Sequence, residues 1–283
     1  MDDGVLKVAT CQFAVSDSVR QNSQQIQLYM NRARTLGAQI VHFSETALSG
    51  YAGEEIFDFE KFGWSELEKQ TQNIMNLAKQ LGLWVVVGST HRLTAPNKPH
   101  NCVYVINPDG QIADRYDKRF LTPRDLQYYT AGDHFVSFDI NNVRCSALIC
   151  FDLRFPELYR ELLKMKVDFL LQSFYNARQE GPSIHTHIMR QTMQTRASEN
   201  YFWVSMSNSC RYFSPYPSCF IQPDGKIVKQ LRLNTPGVMV NEVDLRKEFY
   251  DPMIDFRAMV LDGAISNGSA ASDDPRSVQR NII

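Results

Sequence analysis

Short apolar runs alternate with amphipathic stretches along most of the chain, and this alternation predicts strands and helices in turn. The uniformly apolar run LKVATCQFAV near the amino terminus predicts a buried strand. Apolar residues then recur at helical spacing from about residue 19 to residue 36, and Asp17 or Ser18 can cap this helix. The run QIVHF (39–43) follows as a second strand, so the chain opens with a β-α-β unit.

The alternation of helices and strands continues downstream, and β-hairpins then connect some of the strands. A second amphipathic helix is predicted over about 64–81, and the strand LWVVVGS (83–89) follows it. Two turn sequences, Asn-Pro-Asp-Gly at 107–110 and Asn141-Asn142, each separate two strand-like runs, which indicates two β-hairpins. The predicted sheets therefore mix parallel and antiparallel strands.

The second half of the chain extends the same architecture. It contains a helix starting at Pro156, a strand over 167–172, a helix over about 184–199 and further strands. We therefore predict one α/β domain over 1–262, with two layers of sheet and helices outside. The polar, Gly/Ser/Asp-rich tail at 263–283 is expected to contribute little to the core, and to be loose or to pack on a partner subunit.

Charge and composition exclude several classes of partner. The 30 basic and 31 acidic residues give a formal net charge of −1, so no broad electrostatic field favours nucleic acid or an anionic membrane. The amino terminus lacks the features of a signal peptide, and no apolar run approaches the roughly 18 residues of a membrane span. The six cysteines form no CxxC pair, as expected of free thiols in a reducing cytosol. We predict a soluble, cytoplasmic protein without a zinc site.

Several common catalytic motifs are absent from the sequence. It contains no GxSxG elbow, no HExxH, no GxGxxG and no GxxxxGK[ST] phosphate loop, which argues against serine hydrolases, zincins and nucleotide-binding enzymes. The pair His185 and His187 falls in a predicted helix, where residues two apart point in different directions. A polar surface position is therefore favoured over metal ligation for both histidines.

Three short polar segments follow predicted strands directly and contain reactive side chains. Glu45 lies in HFSETALSGY, Lys118 in RYDKRFLTP and Cys150 in LICFDLRFPEL. Strand ends at one edge of a sheet can converge. A free cysteine has a pKa of about 8.5 and reacts as the thiolate, so it needs a nearby base or cation. Glutamate can be the base and lysine the cation, although each residue alone is more often a core, cap or surface residue.

These three segments, in this order, resemble the nitrilase superfamily, the Glu-Lys-Cys carbon–nitrogen hydrolases. The resemblance covers roughly residues 5–245, and TRASEN (195–200) with two Pro-Asp-Gly turns at 108–110 and 223–225 matches further family segments. It implies a four-layer α-β-β-α sandwich with a mixed two-sheet core. It also implies a homodimer or a higher homo-oligomer.

The resemblance further implies a reaction and roles for individual residues. Glu45 takes the thiol proton, Cys150 attacks the substrate carbon, and Lys118 with the backbone N–H of Phe151 holds the oxyanion. The implied reaction is hydrolysis of a small-molecule amide through a cysteine thioester, with release of ammonia and no metal or organic cofactor. The Cys-Phe-Asp sequence at 150–152 resembles amidase branches more than the Cys-Trp-Glu of true nitrilases, which favours an amide substrate.

The sequence departs from the family pattern close to the lysine. No glutamate occurs between Lys118 and Glu157, and Asp125 is the nearest substitute for the family's second glutamate. Arg154 and Glu157, three residues apart at a predicted helix start, are expected to form a structural ion pair. These departures leave three functions open: an amidase, a nitrile- or N-carbamoyl-hydrolysing relative, and a catalytically silent binding protein.

Substrate contacts are expected from a small set of residues near these segments. Besides Asp125, we predict Tyr51 in the glutamate segment, and Phe174, Asn176 and Arg178 after the strand at 167–172. Arg178 is a candidate partner for a substrate carboxylate. The competing interpretation is a surface arginine in a loop, since arginines are mostly exposed.

Overall fold

The computed structural model describes residues 3–176 and 182–281. The chain forms two compact units, which meet in sequence between Tyr250 and Asp251. In chain order, the strands of the first unit are β1 (Val5–Gln12), β2 (Ile40–His42), β3 (Trp84–His91), β4 (His100–Ile106), β5 (Ile112–Asp117), β6 (Phe138–Ile140), β7 (Val143–Ile149), β8 (Phe169–Phe174), β9 (Trp203–Asn208), β10 (Cys219–Ile221), β11 (Ile227–Gln230) and β12 (Gly237–Asp244). Its helices are α1 (Val19–Thr35), α2 (Trp64–Leu81), α3 (Pro156–Lys164) and α4 (Ile184–Asn200).

The strands form two mixed sheets of six. The first sheet has the order β12-β1-β2-β3-β4-β5, and the second has the order β11-β10-β9-β8-β7-β6. In each sheet the three central strands are parallel, namely β1, β2 and β3 in the first and β7, β8 and β9 in the second. The outer strands pair antiparallel through hairpins, and β12 pairs antiparallel with β1. The predicted α-β-β-α sandwich with a mixed two-sheet core is confirmed.

The side chains of the first sheet point alternately to its two faces and so contribute to two separate apolar regions. Val8 and Ile40 belong to the core that the two sheets share, whereas their neighbours Ala9 and Val41 pack with the residues of α1 and α2. Successive side chains of a strand point to opposite faces. The first sheet is therefore buried on both faces, which explains why its strands are continuous apolar runs in the sequence.

A polar layer with one histidine lies between the sheets. His42 of β2 is fully buried, and its two ring nitrogens lie 3.0 Å from Ser173 Oγ and 2.8 Å from Ser205 Oγ. Thr10 Oγ1 lies 2.7 Å from the same Ser205 hydroxyl. Burial lowers the pKa of His42 to about 3, so the ring is neutral and links both sheets by hydrogen bonds.

Most predicted elements agree with the structure, with differences near the strand ends of the second sheet. Helix α1 begins after Ser18, whose hydroxyl accepts a hydrogen bond from the backbone N–H of Gln21 at 3.3 Å. Strand β8 extends to Phe174, two residues beyond its predicted end. A short 3-10 helix (Cys150–Arg154) lies between β7 and α3, and this turn was not predicted.

The second unit contains two short helices, α5 (Arg257–Leu261) and α6 (Pro275–Val278). Arg257 and Asp251 form an ion pair of 2.5 Å within it. Nearly all described residues from Gly263 onward are exposed. In the described part of the whole chain, no helix combines the length and the apolar character needed to cross a membrane.

Candidate active site

Glu45 follows β2 in a segment that the backbone of neighbouring strands fixes. Its N–H donates to the carbonyl oxygen of Phe174, at the end of β8 in the other sheet, at 3.2 Å. Thr46 has a φ of 50°, which turns the chain sharply after the glutamate. A Cβ atom at Gly88 of β3 would collide with the backbone of Ser44, so glycine at this position lets the segment lie directly on β3.

The Glu45 carboxylate is fully buried and accepts three hydrogen bonds. Oε1 accepts from Lys118 Nζ and from Asn101 Nδ2, each at 2.8 Å, and Oε2 accepts from the backbone N–H of Tyr175 at 2.9 Å. Burial raises the pKa of Glu45, and the Lys118 ammonium acts in the opposite direction. The result is a rigidly held carboxylate that is more basic than an exposed glutamate.

Lys118 follows β5, and its side chain is also fully buried. Its backbone N–H donates to the carbonyl oxygen of Asn101 at 2.9 Å, which positions the lysine beside β4. Besides Glu45, its ammonium donates to Asp125 Oδ2 at 2.8 Å. Burial alone would lower the pKa of Lys118, but the carboxylate of Glu45 and further nearby acidic groups raise it well above its usual value. The ammonium therefore stays charged between two carboxylates.

Asp125 is the second carboxylate on Lys118, and it is itself held by several groups. The backbone N–H of Thr122 donates to its Oδ2 at 3.1 Å, and the Tyr51 hydroxyl donates to its Oδ1. The ring of Tyr51 stacks on Tyr175, with 4.9 Å between centroids. Burial alone would raise the pKa of Asp125, but the Lys118 ammonium and these hydrogen bonds lower it. Asp125 is therefore ionised and fixes the position of the ammonium.

Cys150 lies at the sharp turn between β7 and α3. Its φ of 41° is in the left-handed region, which is unfavourable for a residue with a side chain. Asp152 holds this turn, because its carboxylate accepts from the N–H groups of Ile149 at 3.0 Å and Phe120 at 2.9 Å, and from the Tyr116 hydroxyl at 2.8 Å. Burial raises the pKa of Asp152 to about 6, against the effect of these hydrogen bonds.

The Cys150 sulfur lies beside Glu45 and Asn176. Asn176 Nδ2 lies 3.3 Å from Sγ. Burial raises the pKa of the Cys150 thiol most, and the charge of Glu45 raises it further, whereas the Lys118 ammonium lowers it. The thiol is thus protonated in the free site and lies close to a basic carboxylate. This arrangement can transfer the thiol proton as the sulfur forms a bond to carbon.

Cys150 also differs from the other cysteines in its accessibility. It is partly exposed, whereas the other five are buried. Cys145, five residues earlier on β7, is fully buried, and burial raises its pKa well above the usual value. Phe151 follows Cys150 in the first turn of the 3-10 helix, and N–H groups at such a position have no partner within the helix. Its N–H is therefore next to the sulfur and suited to donate a hydrogen bond to an oxygen atom.

Only some of the residues predicted to contact the substrate lie in the cluster around Cys150. Tyr51 contacts Asp125, and Asn176 contacts Cys150, so both lie in the cluster. Phe174 has a fully buried side chain in the shared core, and only its carbonyl group contacts Glu45. Arg178 lies outside the described residues.

Sequence reasoning missed several groups in the cluster. Asn101 and the backbone N–H of Tyr175 both bind the glutamate, and Asp152 supports the cysteine turn. A signal for Asn101 is its polar side chain within the otherwise apolar run NCVYVI at 101–106. The backbone donor of Tyr175 has no sequence signal.

The expected ion pair between Arg154 and Glu157 is wrong. Both residues are described, and no ion pair joins them; Arg154 Nη2 instead lies 3.2 Å from Nδ1 of His185, at the start of α4. The 3-10 helix before Pro156 explains the difference, because the two residues do not share one continuous α-helix.

Comparison with known proteins gives a family match over most of the chain. A family model described as carbon-nitrogen hydrolase matches residues 7–248. A protein called hydrolase in agr operon, from Staphylococcus lugdunensis, is 31% identical over 204 residues, which are 68% of this chain and 82% of that protein. An omega-amidase from Homo sapiens is 24% identical over 255 residues, which are 85% of this chain and 89% of that protein.

Solved structures include close matches in fold. A mutant of the amidase from Nesterenkonia sp. AN1 in complex with butyramide has a TM-score of 0.76 and 19% sequence identity, and the match covers 92% of this chain and 96% of that chain. At this identity, the likeness shows a shared fold.

Proposed function

We propose that this chain, which belongs to the carbon–nitrogen hydrolase family, hydrolyses small linear amides through a Cys150 thioester and releases ammonia. Family membership confirms the resemblance to the nitrilase superfamily seen in the sequence. One observation supports the proposal most: a carboxylate, an ammonium and a thiol, from three separate segments, are assembled in one buried cluster. The omega-amidase and the butyramide complex among the related proteins support an amide substrate.

In the first step, Cys150 Sγ attacks the carbonyl carbon as its proton moves to the Glu45 carboxylate. The carbonyl oxygen becomes an oxyanion, which the Lys118 ammonium and the Phe151 N–H stabilise. Each such donor contributes about 3–4 kcal/mol to the stability of the transition state. Because Lys118 is already held by two carboxylates, its ammonium does not need to move when the charge develops.

In the second step, the tetrahedral intermediate collapses to a thioester. Glu45 gives its proton to the leaving nitrogen, the C–N bond breaks, and ammonia departs. Water then attacks the thioester carbon while Glu45 accepts one of its protons. The C–S bond breaks, the sulfur takes this proton from Glu45, and the carboxylic acid leaves. Glu45 thus acts as base and then as acid in each half of the reaction, and its raised pKa suits both roles.

Asp125 is proposed to take the place of the family's second glutamate as a positioning residue for Lys118. The 2.8 Å contact between the two side chains supports this role. The Tyr51 hydroxyl and the N–H of Thr122 hold the shorter aspartate in place. The homo-oligomeric state and the cytoplasmic location stay predictions from the sequence.

The test combines a substrate screen with labelling of the nucleophile. Purified protein is incubated with small amides, ω-amides, N-carbamoyl compounds and nitriles, and ammonia and the organic products are measured. We expect ammonia and a carboxylic acid from amides, faster than from the other classes. Intact-protein mass spectrometry with an electrophilic amide should show one adduct on Cys150.

Matched cysteine variants make this test specific. Cys150→Ala and Cys150→Ser should lose turnover and labelling while keeping the fold, because the thiol is the nucleophile. Cys145→Ala is the control. Cys145 lies on β7 with its thiol buried in the core, so the Cys145→Ala variant should retain turnover. An inactive Cys145→Ala together with an active Cys150→Ala would overturn the proposal, and so would an unlabelled wild-type protein with no turnover.

A further inference from the structure

Glu55 has a fully buried carboxylate that the proposed reaction does not use. Its Oε1 accepts hydrogen bonds from the Tyr175 hydroxyl at 2.7 Å and from Arg211 Nη1 at 2.8 Å, and its Oε2 accepts from the backbone N–H of Tyr51 at 3.0 Å. The Arg211 side chain is itself anchored, since Nη1 also donates to the carbonyl oxygen of Val15 at 2.9 Å. A buried carboxylate is costly unless a cation and hydrogen bonds compensate it. The arginine supplies the cation, so Glu55 stays ionised and holds both tyrosines.

Each of these tyrosines makes a second contact, to a carboxylate of the active-site cluster. The Tyr51 hydroxyl donates to Asp125 Oδ1, and the backbone N–H of Tyr175 donates to Glu45 Oε2 at 2.9 Å. Asp125 and Glu45 are the two carboxylates that accept from the Lys118 ammonium. The hydrogen bonds therefore close a ring of six residues, which in order are Glu55, Tyr51, Asp125, Lys118, Glu45 and Tyr175.

This hydrogen-bonded ring joins segments from both sheets. Glu45, Tyr51 and Glu55 follow β2 of the first sheet, whereas Tyr175 follows β8 of the second sheet. The aromatic rings of Tyr51 and Tyr175 also stack, with 4.9 Å between centroids and 16° between planes. Glu55 binds the main chain of one tyrosine and the hydroxyl of the other. The stacked pair therefore cannot shift without breaking a hydrogen bond to Glu55.

The position of Glu45 is critical in the proposed reaction, because its carboxylate takes and returns a proton in each half. Proton transfer requires the carboxylate to lie within hydrogen-bond distance of the group with which it exchanges the proton. A displacement of about 1 Å can lower the rate by ~10²-fold. The Glu55 carboxylate is fully buried and bonded to the two tyrosines, so its effect on Glu45 passes through them.

We propose that Glu55 is a positioning residue that acts through Tyr51 and Tyr175 to fix the two carboxylates on either side of the Lys118 ammonium. This inference rests on the proposed amidase function. Hydrogen bonds in a connected network support one another, so the loss of one member loosens the rest. Removal of Glu55 should therefore slow the chemical step more than it weakens substrate binding.

The first test compares Glu55→Ala with Tyr175→Phe, which removes only the hydroxyl that donates to Glu55. With butyramide as substrate, kcat should fall roughly 10-fold in Glu55→Ala and roughly 3-fold in Tyr175→Phe, because the general base is held less well, and KM should change less. In the double variant, kcat should be no lower than in Glu55→Ala, since the hydroxyl has lost its acceptor. An unchanged kcat in either single variant, or losses that multiply in the double variant, would overturn the inference.

Two control variants remove groups of the same kinds outside the ring. Asp244 has a buried carboxylate 2.7 Å from Arg246 Nε, and it lies opposite the start of β1, at the other end of the parallel strands from Glu45. The Tyr104 hydroxyl lies 2.7 Å from His91 Nδ1. Asp244→Ala and Tyr104→Phe should lower the melting temperature and leave kcat and KM unchanged. The same loss of kcat in these controls would indicate general destabilisation and overturn the inference.

Hydrogen exchange separates this inference from the proposed function, because it requires no turnover. Exchange of the backbone N–H of residue 175 is followed by NMR in the wild type, Glu55→Ala, Tyr175→Phe and Tyr104→Phe. This N–H should exchange roughly 5-fold faster in the first two variants, as expected when one hydrogen bond fewer holds the segment, and at the wild-type rate in Tyr104→Phe. Equal rates in the wild type and Tyr175→Phe would overturn the inference. Absence of ammonia release from every amide by the wild type would instead overturn the proposed function, and the exchange rates would still decide the role of Glu55.

Discussion

At the scale of single residues, the position of Lys118 depends on two carboxylates. Glu45 and Asp125 each accept a hydrogen bond of 2.8 Å from its ammonium, and all three side chains are buried. A buried charge without its partner is strongly destabilising. The lysine therefore contributes to the order of the site as well as to its proposed chemistry.

Replacing Lys118 by Met should lower kcat by at least ~10²-fold, because a charged oxyanion donor is lost. Methionine has a similar length and cannot donate a hydrogen bond. The measurement is steady-state ammonia release, with circular dichroism to confirm that the variant folds. Near-wild-type turnover by a folded Lys118→Met protein would place this lysine outside the reaction.

Replacing Asp125 by Asn should lower kcat by roughly 10-fold and change KM less, because the ammonium loses one of the two charges that fix it. Asp114→Asn is the control, since Asp114 is partly exposed and pairs with His134 away from the cluster. Both variants are compared by kcat and KM on one amide. A large rise in KM with unchanged kcat would indicate that Asp125 binds substrate directly and does not position Lys118.

The sequence allowed prediction of the three residues that we propose to be reactive, but not of most groups that hold them. Glu45, Lys118 and Cys150 each lie in a recognisable segment directly after a strand. Asn101 and the Tyr175 N–H reach the glutamate only because β4 lies beside β3, on which the glutamate segment rests, and because Tyr175 follows β8 of the other sheet.

At the scale of elements, the interface between the two sheets contains a pH-sensitive group in His42. Burial lowers its pKa to about 3, whereas a histidine in an unfolded chain has a pKa of about 6.5. Below about pH 6.5 the unfolded chain therefore binds a proton that the folded chain does not. The free energy of unfolding should fall as the pH drops from about 6.5 towards 3, by up to ~1.4 kcal/mol per pH unit from this residue.

His42→Gln should remove this contribution. We expect the free energy of unfolding of the variant to change less between pH 6.5 and pH 4.5 than that of the wild type. Urea unfolding at several pH values measures the difference in slope, and groups that titrate alike in both proteins cancel from it. Equal slopes would mean that His42 binds its proton over the same pH range in the folded and the unfolded chain.

Local sequence patterns predicted the individual helices and strands well. They failed to predict features that depend on contacts between residues far apart in the sequence. The 3-10 helix over Cys150–Arg154 depends on hydrogen bonds from the N–H groups of Ile149 and Phe120 to Asp152. The order of strands was also beyond local patterns. Strand β12 pairs with β1 along its whole length, from Val5 opposite Asp244 to Gln12 opposite Gly237, and nothing in either run specifies a partner so far along the chain.

At the scale of the whole molecule, the polar tail at 263–283 is predicted to be separate from the stabilising core. A variant that ends at residue 262 should have a melting temperature within about 2 °C of that of the full chain. This shift corresponds to a change of less than ~1 kcal/mol in the free energy of unfolding. Thermal unfolding by circular dichroism and size-exclusion chromatography test this. A large drop in melting temperature would contradict the prediction, and a smaller particle would place the tail at an oligomer interface.

The pairing of β12 with β1 also delays the completion of the first sheet during synthesis. One edge of β1 gains its partner only after more than 220 further residues have been translated. At ~5–20 residues per second this delay is roughly 10–45 s, during which the edge offers its N–H and C=O groups to any other extended chain. A ribosome that stops before residue 237 leaves a nascent chain with this edge uncovered. Such truncated products can therefore aggregate through this edge.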